Sequence, residues 1–242
     1  MATPSSVITP APHLLLFDLD DTLCDYAAAR DSRLRRAFQQ ALHLRSPDHE
    51  IDMDQLVADS VAMHPHGADH FGELLQARGV HEAEIAAAAA TWYRTNRFHG
   101  LDFFADAVPT LGRLRAALPK PHGRIGLITN GPADVQRAKV ELLQIAQHVD
   151  FIVISGEFGV WKPDPAIFAE ALRLGGASAG EAVFIGDSVE HDMAGARAAG
   201  IRAIWVNRAN RSWTDAPPPP DHRIQGLSDL PGLLGLDSSP DR

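Results

Sequence analysis

Residues 14–24, LLLFDLDDTLC, constrain the fold of this chain more than any other stretch. The four apolar residues Leu14–Phe17 are too few for a free-standing helix and predict a short strand that is buried on both faces. Asp18 and Asp20 follow at its carboxyl end, where open α/β sheets bind their ligands. Two carboxylates this close repel each other unless a cation lies between them or they share a proton. Taken alone, the stretch fits a ligand site and an ordinary acidic turn, with Thr22 capping the next helix, about equally well.

Net charge, cysteine content and the lack of long apolar stretches limit the kinds of partner and compartment expected for this chain. A formal net charge of −9 argues against a nucleic-acid backbone or an anionic membrane, but leaves a small anionic substrate open. Cys24 is the only cysteine, so no intramolecular disulfide can form and a reducing cytosol is expected. The first residues, MATPSSVITPAPH, lack the features of a signal peptide, and no stretch approaches the roughly 20 apolar residues of a membrane span. The prediction is a cytoplasmic monomer or homodimer.

Residues 25–100 have helical periodicity and no convincing strand, which predicts a separate bundle of helices. The apolar positions recur at helical spacing in four segments: Leu34, Ala37, Phe38, Ala41 and Leu42; Met53, Leu56, Val57, Ser60 and Val61; Phe71, Leu74 and Leu75; and Ile85, Ala88, Ala89, Trp92 and Tyr93. Arg33, Arg35 and Arg36 fall on the other faces of the first helix. The predicted domains are therefore an α/β core over 12–24 and 101–242, a helical insert over 25–100, and a flexible tail over 1–11.

From residue 101 onward, helices and strands alternate, which predicts a Rossmann-like parallel sheet with helices on its faces. The predicted strands are Arg124–Ile128, Phe151–Ile154, Ala182–Ile185 and Ile201–Val206. Between the first two, Val135, Ala138 and Leu142 mark the apolar side of a helix. The proline run Pro217–Pro220 is interpreted as a linker, and the segment after it as a short strand with an apolar patch that docks on the sheet.

Polar residues stand at the ends of these strands. Asp18 and Asp20 follow the first, Thr129 the second and Asp187 the fourth, while Lys162 lies in the loop GVWKPDP. Parallel strands bring such ends to one edge of the sheet, so these side chains should converge. Oxygen ligands of this kind suit Mg²⁺, and a hydroxyl, backbone N–H groups near Gly131 and a lysine suit phosphate oxygens. Because a carboxylate can also attack phosphorus, the set points to phosphoryl transfer.

Four short motifs resemble those of the haloacid dehalogenase superfamily and occur in the family's order. They are DLDDT at 18–22, ITNG at 128–131, VWKPDP at 160–165 and GDSVEHD at 186–192. The helical insert between the first two is similar to the family's C1 cap, which closes over the edge of the sheet. The resemblance covers nearly the whole chain.

The resemblance implies a role for each matching residue. Asp18 would be the nucleophile and a magnesium ligand, and Asp20 the acid and base, with its backbone carbonyl also on the metal. Thr129, Asn130 and Lys162 would bind the phosphoryl group. Two further residues complete the expected set: Asp187 as a direct magnesium ligand, and Asp192 in the shell behind it or bound to the metal through water.

Several other residues are interpreted more plainly. Trp161, directly before Lys162, could line the substrate pocket, but packing is favoured for so large an aromatic side chain. The histidines of HPHGADH (His64, His66 and His70) have irregular spacing and favour a solvated loop over a metal site. Four arginines of the helical insert could reach a second anionic group of the substrate, but each is expected to be solvated: Arg30, Arg33, Arg94 and Arg97. Cys24 is expected to be a small buried packing residue.

The resulting hypothesis is a magnesium-dependent phosphatase that acts on a small phosphate ester through an aspartyl-phosphate. The motifs resemble the branch that contains 5′-nucleotidases, N-acylneuraminate-9-phosphatases and phosphoglycolate phosphatases. Three alternatives remain open: a phosphomutase, a haloacid dehalogenase that attacks carbon without magnesium, and a binding protein that keeps the fold. The general acid at Asp20 counts against the dehalogenase, and the clustered carboxylates count against a protein without activity.

Overall fold

The computed structural model describes residues 7–43, 51–64, 66–118, 121–213 and 219–236. The chain divides into two compact units. One contains the residues up to Asp25 and those from Phe103 onward, and the other is Tyr26–Asp102. We propose that these units are the predicted core and helical insert. None of the described helices is long and apolar enough to span a bilayer.

The first unit is built on a six-stranded sheet in which every neighbouring pair of strands is parallel. The strands are β1 Leu14–Phe17, β2 Arg124–Thr129, β3 Phe151–Ile154, β4 Ala182–Gly186, β5 Arg202–Val206 and β6 His222–Ile224. Their order across the sheet is β3-β2-β1-β4-β5-β6. The predicted α/β class with a Rossmann-like parallel sheet is confirmed.

The α-helices follow in chain order: α1 Tyr26–Leu42, α2 Met53–Met63, α3 Phe71–Gln76, α4 Ala83–Thr95, α5 Ala107–Ala117, α6 Ala133–Leu142, α7 Ser155–Phe158, α8 Pro165–Gly175, α9 Ala194–Ala198 and α10 Leu230–Leu233. Short 3₁₀ helices cover Ile145–Gln147, Ala179–Glu181 and Leu227–Asp229, and a π-helix covers Val189–Met193. Asp164 accepts a hydrogen bond from the N–H of Ala166 and caps α8, whose first residue is a proline.

Strand β1 lies between β2 and β4, and all four of its residues are fully buried. Phe17 is in register with Leu127 of β2 and with Ile185 of β4. The next residue, Asp18, therefore stands beside the carboxyl ends of both neighbouring strands. This register sets the place of the site described below.

The N-terminal segment is held to the core at one point. Ile8 is buried, and its N–H donates to the carbonyl of Leu233 (2.9 Å). At this position the described part of the predicted tail is attached to the core. At the other end of the chain, the predicted proline linker lies in part outside the described residues. The predicted strand and apolar patch follow it as β6, with Ile224 buried, and α10, with Leu230 and Leu233 buried.

In the second unit, helices α1 to α4 enclose an apolar core around Phe38, Phe71 and Tyr93. The aromatic rings of Phe71 and Tyr93 meet edge-on, with centroids 5.4 Å apart. The prediction that Arg33 is solvated is wrong, because its side chain is buried against this core, with 7% of the residue exposed. Its guanidinium lies 3.8 Å from the centre of the Tyr93 ring and donates to the Tyr93 hydroxyl and the carbonyl of Arg97.

Helix α6 is present as predicted, but its buried face differs from the predicted one. Leu142 is 52% exposed, and Val135 is only partly buried. The buried positions are Gln136, Lys139 and Val140. Polar side chains can occupy this face because they find charged and polar partners at the end of β1, which the pattern of apolar residues does not reveal.

Candidate active site

Three carboxylates meet at the carboxyl edge of the sheet. Asp18 follows β1, Asp187 follows β4, and Asp192 lies in the π-helix after it. One carboxylate oxygen from each lies within 4.8 Å of the others. Among the described residues, this is the one group of three or more histidine, cysteine or acidic side chains placed to share a metal ion.

Gly186 makes room for this cluster. A Cβ atom at this position would lie 2.3 Å from Oδ2 of Asp192, which is closer than any real contact. The Asp192 carboxylate is fixed there because its Oδ2 accepts from the N–H of Ser188 (3.1 Å). The glycine that ends β4 therefore leaves the space that the Asp192 carboxylate occupies in the cluster.

Lys162 places a buried positive charge between Asp18 and Asp192. Its Nζ lies 2.5 Å from Oδ1 of Asp18 and 2.7 Å from Oδ1 of Asp192, and it donates to the carbonyl of Ile128 (3.1 Å). Only 3% of Lys162 is exposed. The side chain of Asn130 holds the backbone of this lysine at both ends, since its Nδ2 donates to the Lys162 carbonyl and its Oδ1 accepts from the Lys162 N–H (both 2.9 Å).

The electrostatics of the cluster favour a further cation. Burial and the charge of Asp192 together raise the pKa of Asp18 to about 7, although Lys162 opposes the shift. Burial also raises the pKa of Asp187 to about 8, and the charges of Asp18 and Asp192 add to this effect. The two carboxylates that face Lys162 raise its pKa in spite of burial, so the lysine stays protonated. Two cations pair with these three carboxylates, the buried Lys162 and the exposed Arg211, which lies 3.6 Å from Asp187. The carboxylates still leave an excess of negative charge, and their oxygen donors fit a hard divalent cation such as Mg²⁺.

Asp20 lies apart from this cluster and has its own lysine. Lys139 of α6 places Nζ 2.8 Å and 2.7 Å from the two carboxylate oxygens of Asp20. Gln136, one turn earlier on the same helix, donates from Nε2 to Oδ2 of Asp20 (3.2 Å) and also to Oγ1 of Thr129. The thiol of Cys24 lies 3.7 Å from the other oxygen of Asp20.

Gln136 and Lys139 are the site residues that the sequence reasoning missed. Both are buried, and the signal that could have identified them is their spacing. Residues 136, 139, 140 and 143 form an i, i+3, i+4, i+7 stripe along α6 and its C-cap, and two of its four positions are polar. A lysine and a glutamine in a buried stripe one turn after the ITNG motif indicate partners within the site.

Thr129 and Gly131 shape the turn after β2. Thr129 is buried, and Gly131 has φ 155°, a backbone conformation that favours glycine. The N–H of Gly131 donates to Oγ of Ser155 (3.0 Å), which ties the turn to the start of α7. A Cβ at Gly131 would lie 2.6 Å from the side chain of Gln136, so the glycine also gives Gln136 its path to Thr129 and Asp20.

The structure does not support the packing predicted for Trp161. This side chain lies next to the fully enclosed Lys162, yet Trp161 is 48% exposed. The loop is anchored instead by Lys162 and by the N–H of Asp164, which donates to the Trp161 carbonyl (2.9 Å). Because the backbone of the loop directs the Lys162 side chain into the site, the adjacent Trp161 side chain points towards solvent.

The histidines of the helical unit join no metal cluster among the described residues. Nδ1 of His66 lies 3.2 Å from the Tyr26 hydroxyl, and Nε2 of His70 lies 2.7 Å from Oγ of Ser60. Cys24 is fully buried, as expected, and burial raises the pKa of its thiol well above the ordinary value. A neutral, enclosed thiol is a poor nucleophile.

Comparison with known proteins agrees with this geometry. Residues 12–200 match the haloacid dehalogenase-like hydrolase family. The N-acylneuraminate-9-phosphatase of Mus musculus is 29% identical over 238 residues, which cover 91% of this chain and 92% of the relative. The glyceraldehyde 3-phosphate phosphatase of Methanopyrus kandleri is 33% identical over 201 residues, covering 80% and 83%.

Among solved structures, the 2-haloacid dehalogenase from Pseudomonas syringae pv. Tomato DC3000 is 32% identical and superposes with a TM-score of 0.60, covering 93% of this chain and 98% of that one. The family match covers the strands that carry the acidic cluster. The resemblance inferred from the four motifs is thus confirmed, and the chain belongs to the haloacid dehalogenase-like hydrolase family.

Proposed function

We propose that this protein is a magnesium-dependent phosphatase that hydrolyses a small phosphate monoester through an aspartyl-phosphate on Asp18. One observation carries the proposal. Asp18 and Asp20, two residues apart, are held in separate environments, one with Lys162 and the acidic cluster, the other with Lys139. Phosphate ester hydrolysis needs a nucleophile and an acid at the same edge but in different roles, and this division supplies both.

The acidic cluster is the proposed magnesium site. Asp18, Asp187 and the backbone carbonyl of Asp20 would hold the ion, with Asp192 behind them. The ion would supply positive charge to the phosphoryl oxygens during transfer. The support from the structure is the oxygen-only donor set and its excess negative charge.

The chain's own residues account for both halves of the reaction. A carboxylate oxygen of Asp18 attacks phosphorus, the bond from phosphorus to the ester oxygen breaks, and Asp20 gives its proton to the leaving alcohol. Asp20 then takes a proton from the water that attacks the phosphorus of the aspartyl-phosphate. The bond between phosphorus and Asp18 breaks, and inorganic phosphate leaves with the Asp18 carboxylate restored.

Lys162 and the turn after β2 are the proposed phosphate-binding groups. The Lys162 ammonium already bonds Asp18, so it lies within reach of a phosphoryl group transferred to that residue. Thr129 would contribute its hydroxyl. Asn130 would bind the phosphoryl group through its backbone and not through its side chain. Both polar groups of the side chain are already hydrogen-bonded to the backbone of Lys162.

A second candidate is a 2-haloacid dehalogenase, which the Pseudomonas syringae structure favours. In that reaction Asp18 would attack carbon and expel a halide ion, which needs no proton from a general acid. In a dehalogenase, Asp20 would have no part in the first step of the reaction. The structure nevertheless holds both Asp18 and Asp20 with a lysine each, and this argues for the phosphatase. The two phosphatase relatives support the same choice.

Phosphate release from a panel of esters tests the proposal. The panel includes nucleoside monophosphates, sugar phosphates, phosphoglycolate, N-acylneuraminate 9-phosphate and glyceraldehyde 3-phosphate, each with Mg²⁺ and with EDTA. Release that EDTA abolishes is expected. Chloride release from 2-chloropropionate in EDTA would instead identify the dehalogenase, and phosphate transfer to a sugar hydroxyl without free phosphate would identify a mutase.

The nucleophile is tested by Asp18→Asn, which keeps the shape of the side chain and removes the attacking oxygen's charge. Turnover should fall by at least about 1,000-fold, since the covalent route is closed. Asp21→Asn is the matched control, because Asp21 is the adjacent carboxylate and its φ of 59° suits asparagine. Equal activity in Asp18→Asn and the control would overturn the mechanism.

A further inference from the structure

Besides Lys162, the site contains a second buried lysine, Lys139 on helix α6. It faces the proposed acid, Asp20, rather than the nucleophile, Asp18. Lys139 is 4% exposed and bonds both carboxylate oxygens of Asp20. We propose that Lys139 and Gln136 are positioning residues that fix the Asp20 carboxylate for proton transfer to the leaving group. The inference rests on the proposed phosphatase function and deepens it.

The contacts define the orientation of the carboxylate. Two bonds from one ammonium to the two oxygens set the plane of the group, and the Gln136 bond to Oδ2 adds a third constraint. Gln136 also donates to Thr129, so the same amide ties the acid to the proposed phosphate-binding turn. A reaction slows when the catalytic side chain can rotate away from the productive geometry. By fixing the Asp20 carboxylate, the contacts with Lys139 and Gln136 therefore affect the chemical step directly.

Both residues that hold the Asp20 carboxylate lie on one helix, α6. Gln136 and Lys139 are three residues apart on α6, so both side chains project from the same face of one helix. The helix begins at Ala133, two residues after Gly131, and the turn between them is bonded to Ser155. The two donors and the phosphate-binding turn therefore form one connected piece of backbone.

Stability alone does not account for a lysine in this position. Burying an ammonium is costly, and replacing a buried ion pair by apolar residues often leaves a protein as stable or more so. The ammonium has a use in the reaction, because Asp20 becomes an anion when it gives up its proton. Lys139 is already in place to stabilise that anion, without any reorganisation at the moment of transfer.

The test compares leaving groups of similar shape and different acidity in the full-length protein with Mg²⁺. Phenyl phosphate needs a proton on its leaving oxygen, whereas 4-nitrophenyl phosphate leaves as a stable anion. For Lys139→Met, kcat/KM on phenyl phosphate should fall about 10- to 100-fold, and kcat/KM on 4-nitrophenyl phosphate should fall less than about 3-fold. The quantity kcat/KM reports the first transfer step, in which the leaving group departs.

Three variants make the result specific. Arg137→Met removes a cation from the same helix, where Arg137 pairs with Glu157 at the surface, and should change neither rate. Lys139→Arg keeps a cation and should recover part of the phenyl phosphate rate. In an Asp20→Asn background, Lys139→Met should have no further effect on phenyl phosphate, because the acid it positions is gone.

A purely structural role gives a different pattern. Equal losses of Lys139→Met on both esters, or no loss on either, would overturn the inference while leaving the phosphatase in place. If Lys139→Met does not fold, Gln136→Leu is the second test, and it should show the same dependence on the leaving group with a smaller amplitude. Failure of the wild-type protein to release phosphate from both aryl esters and from every ester of the panel above, in the presence of Mg²⁺, would overturn the proposed function itself and the inference with it.

Discussion

Replacing Lys162 by methionine should destabilise the protein as well as inactivate it. Methionine has about the length of the lysine stem, so the change removes the charge with little loss of volume. The ammonium bonds Asp18, Asp192 and the carbonyl of Ile128. The variant would leave two buried carboxylates next to Asp187 with no cation between them.

The size of the effect follows from burial. The side chains of Asp18 and Asp192 are 9% and 1% exposed, so water cannot replace the lost cation. Removing one partner of such a buried pair costs about 3–5 kcal/mol of unfolding free energy. For a chain of this size that corresponds to a decrease in Tm of about 6–20 °C.

Urea unfolding in EDTA measures this free energy without a divalent cation that could substitute for the lysine. Asp192→Asn should cost much less, because the amide oxygen still accepts from Lys162 and the charge that raises the pKa of Asp18 and Asp187 is gone. The double variant should be less destabilised than the sum of the single ones, by about 0.5–3 kcal/mol.

Arg173→Met is the matched control, because Arg173 forms an exposed pair with Glu170 and should change stability by less than about 0.5 kcal/mol. The reasoning is refuted if Lys162→Met unfolds within about 1 kcal/mol of the wild type, or if the free energies of Lys162→Met and Asp192→Asn simply add. Either result would mean that the carboxylates do not depend on this ammonium for their burial.

Two further predictions test other parts of the structure. Gly186→Ala should lower kcat/KM by about 10- to 100-fold, because the new Cβ displaces Asp192, whereas Gly180→Ala, where a Cβ meets open space, should have no effect. Burial and the neighbouring His64 lower the pKa of His70, with weaker opposing effects from Ser60, Asp69 and Glu73. Stability from neutral His70 is therefore complete above its ordinary pKa of 6.5 and is lost as the pH falls through the lowered pKa. The loss of Tm on acidification should be smaller in His70→Gln than in the wild type, and equal losses would contradict the prediction.

The sheet and its acidic edge could be predicted because their signals are local. Strands β1 to β5 are short, mostly apolar runs that end at or just before a polar residue or a glycine, and parallel pairing then brings the ends together without any knowledge of side-chain contacts. This reasoning placed Asp18, Thr129 and Asp187 at the ends of neighbouring strands, which the register confirms. The roles of these residues stay predictions until the variants are measured.

The missed features depend on partners that are distant in sequence. Arg33 is buried because Tyr93, 60 residues away, offers a ring and a hydroxyl. Lys139 is buried because Asp20, 119 residues away, offers a carboxylate. Apolar periodicity assigns both residues to the solvent, and on α6 it selects Leu142, which is exposed. Apolar periodicity identifies residues that can be buried without a polar partner. It does not identify polar residues that are buried because they pair with each other.

The two lysines explain how residues of one type, two positions apart, can act differently. An isolated DLD turn offers two equivalent carboxylates, and nothing within the turn distinguishes attack on phosphorus from proton transfer. The surrounding elements make the distinction: the loop before α8 brings Lys162 to Asp18, and α6 brings Lys139 to Asp20. If this division is the basis of the chemistry, loss of Lys139 should lower kcat/KM only for substrates that need a proton on the leaving group, whereas loss of Lys162 should lower kcat/KM for every phosphate ester.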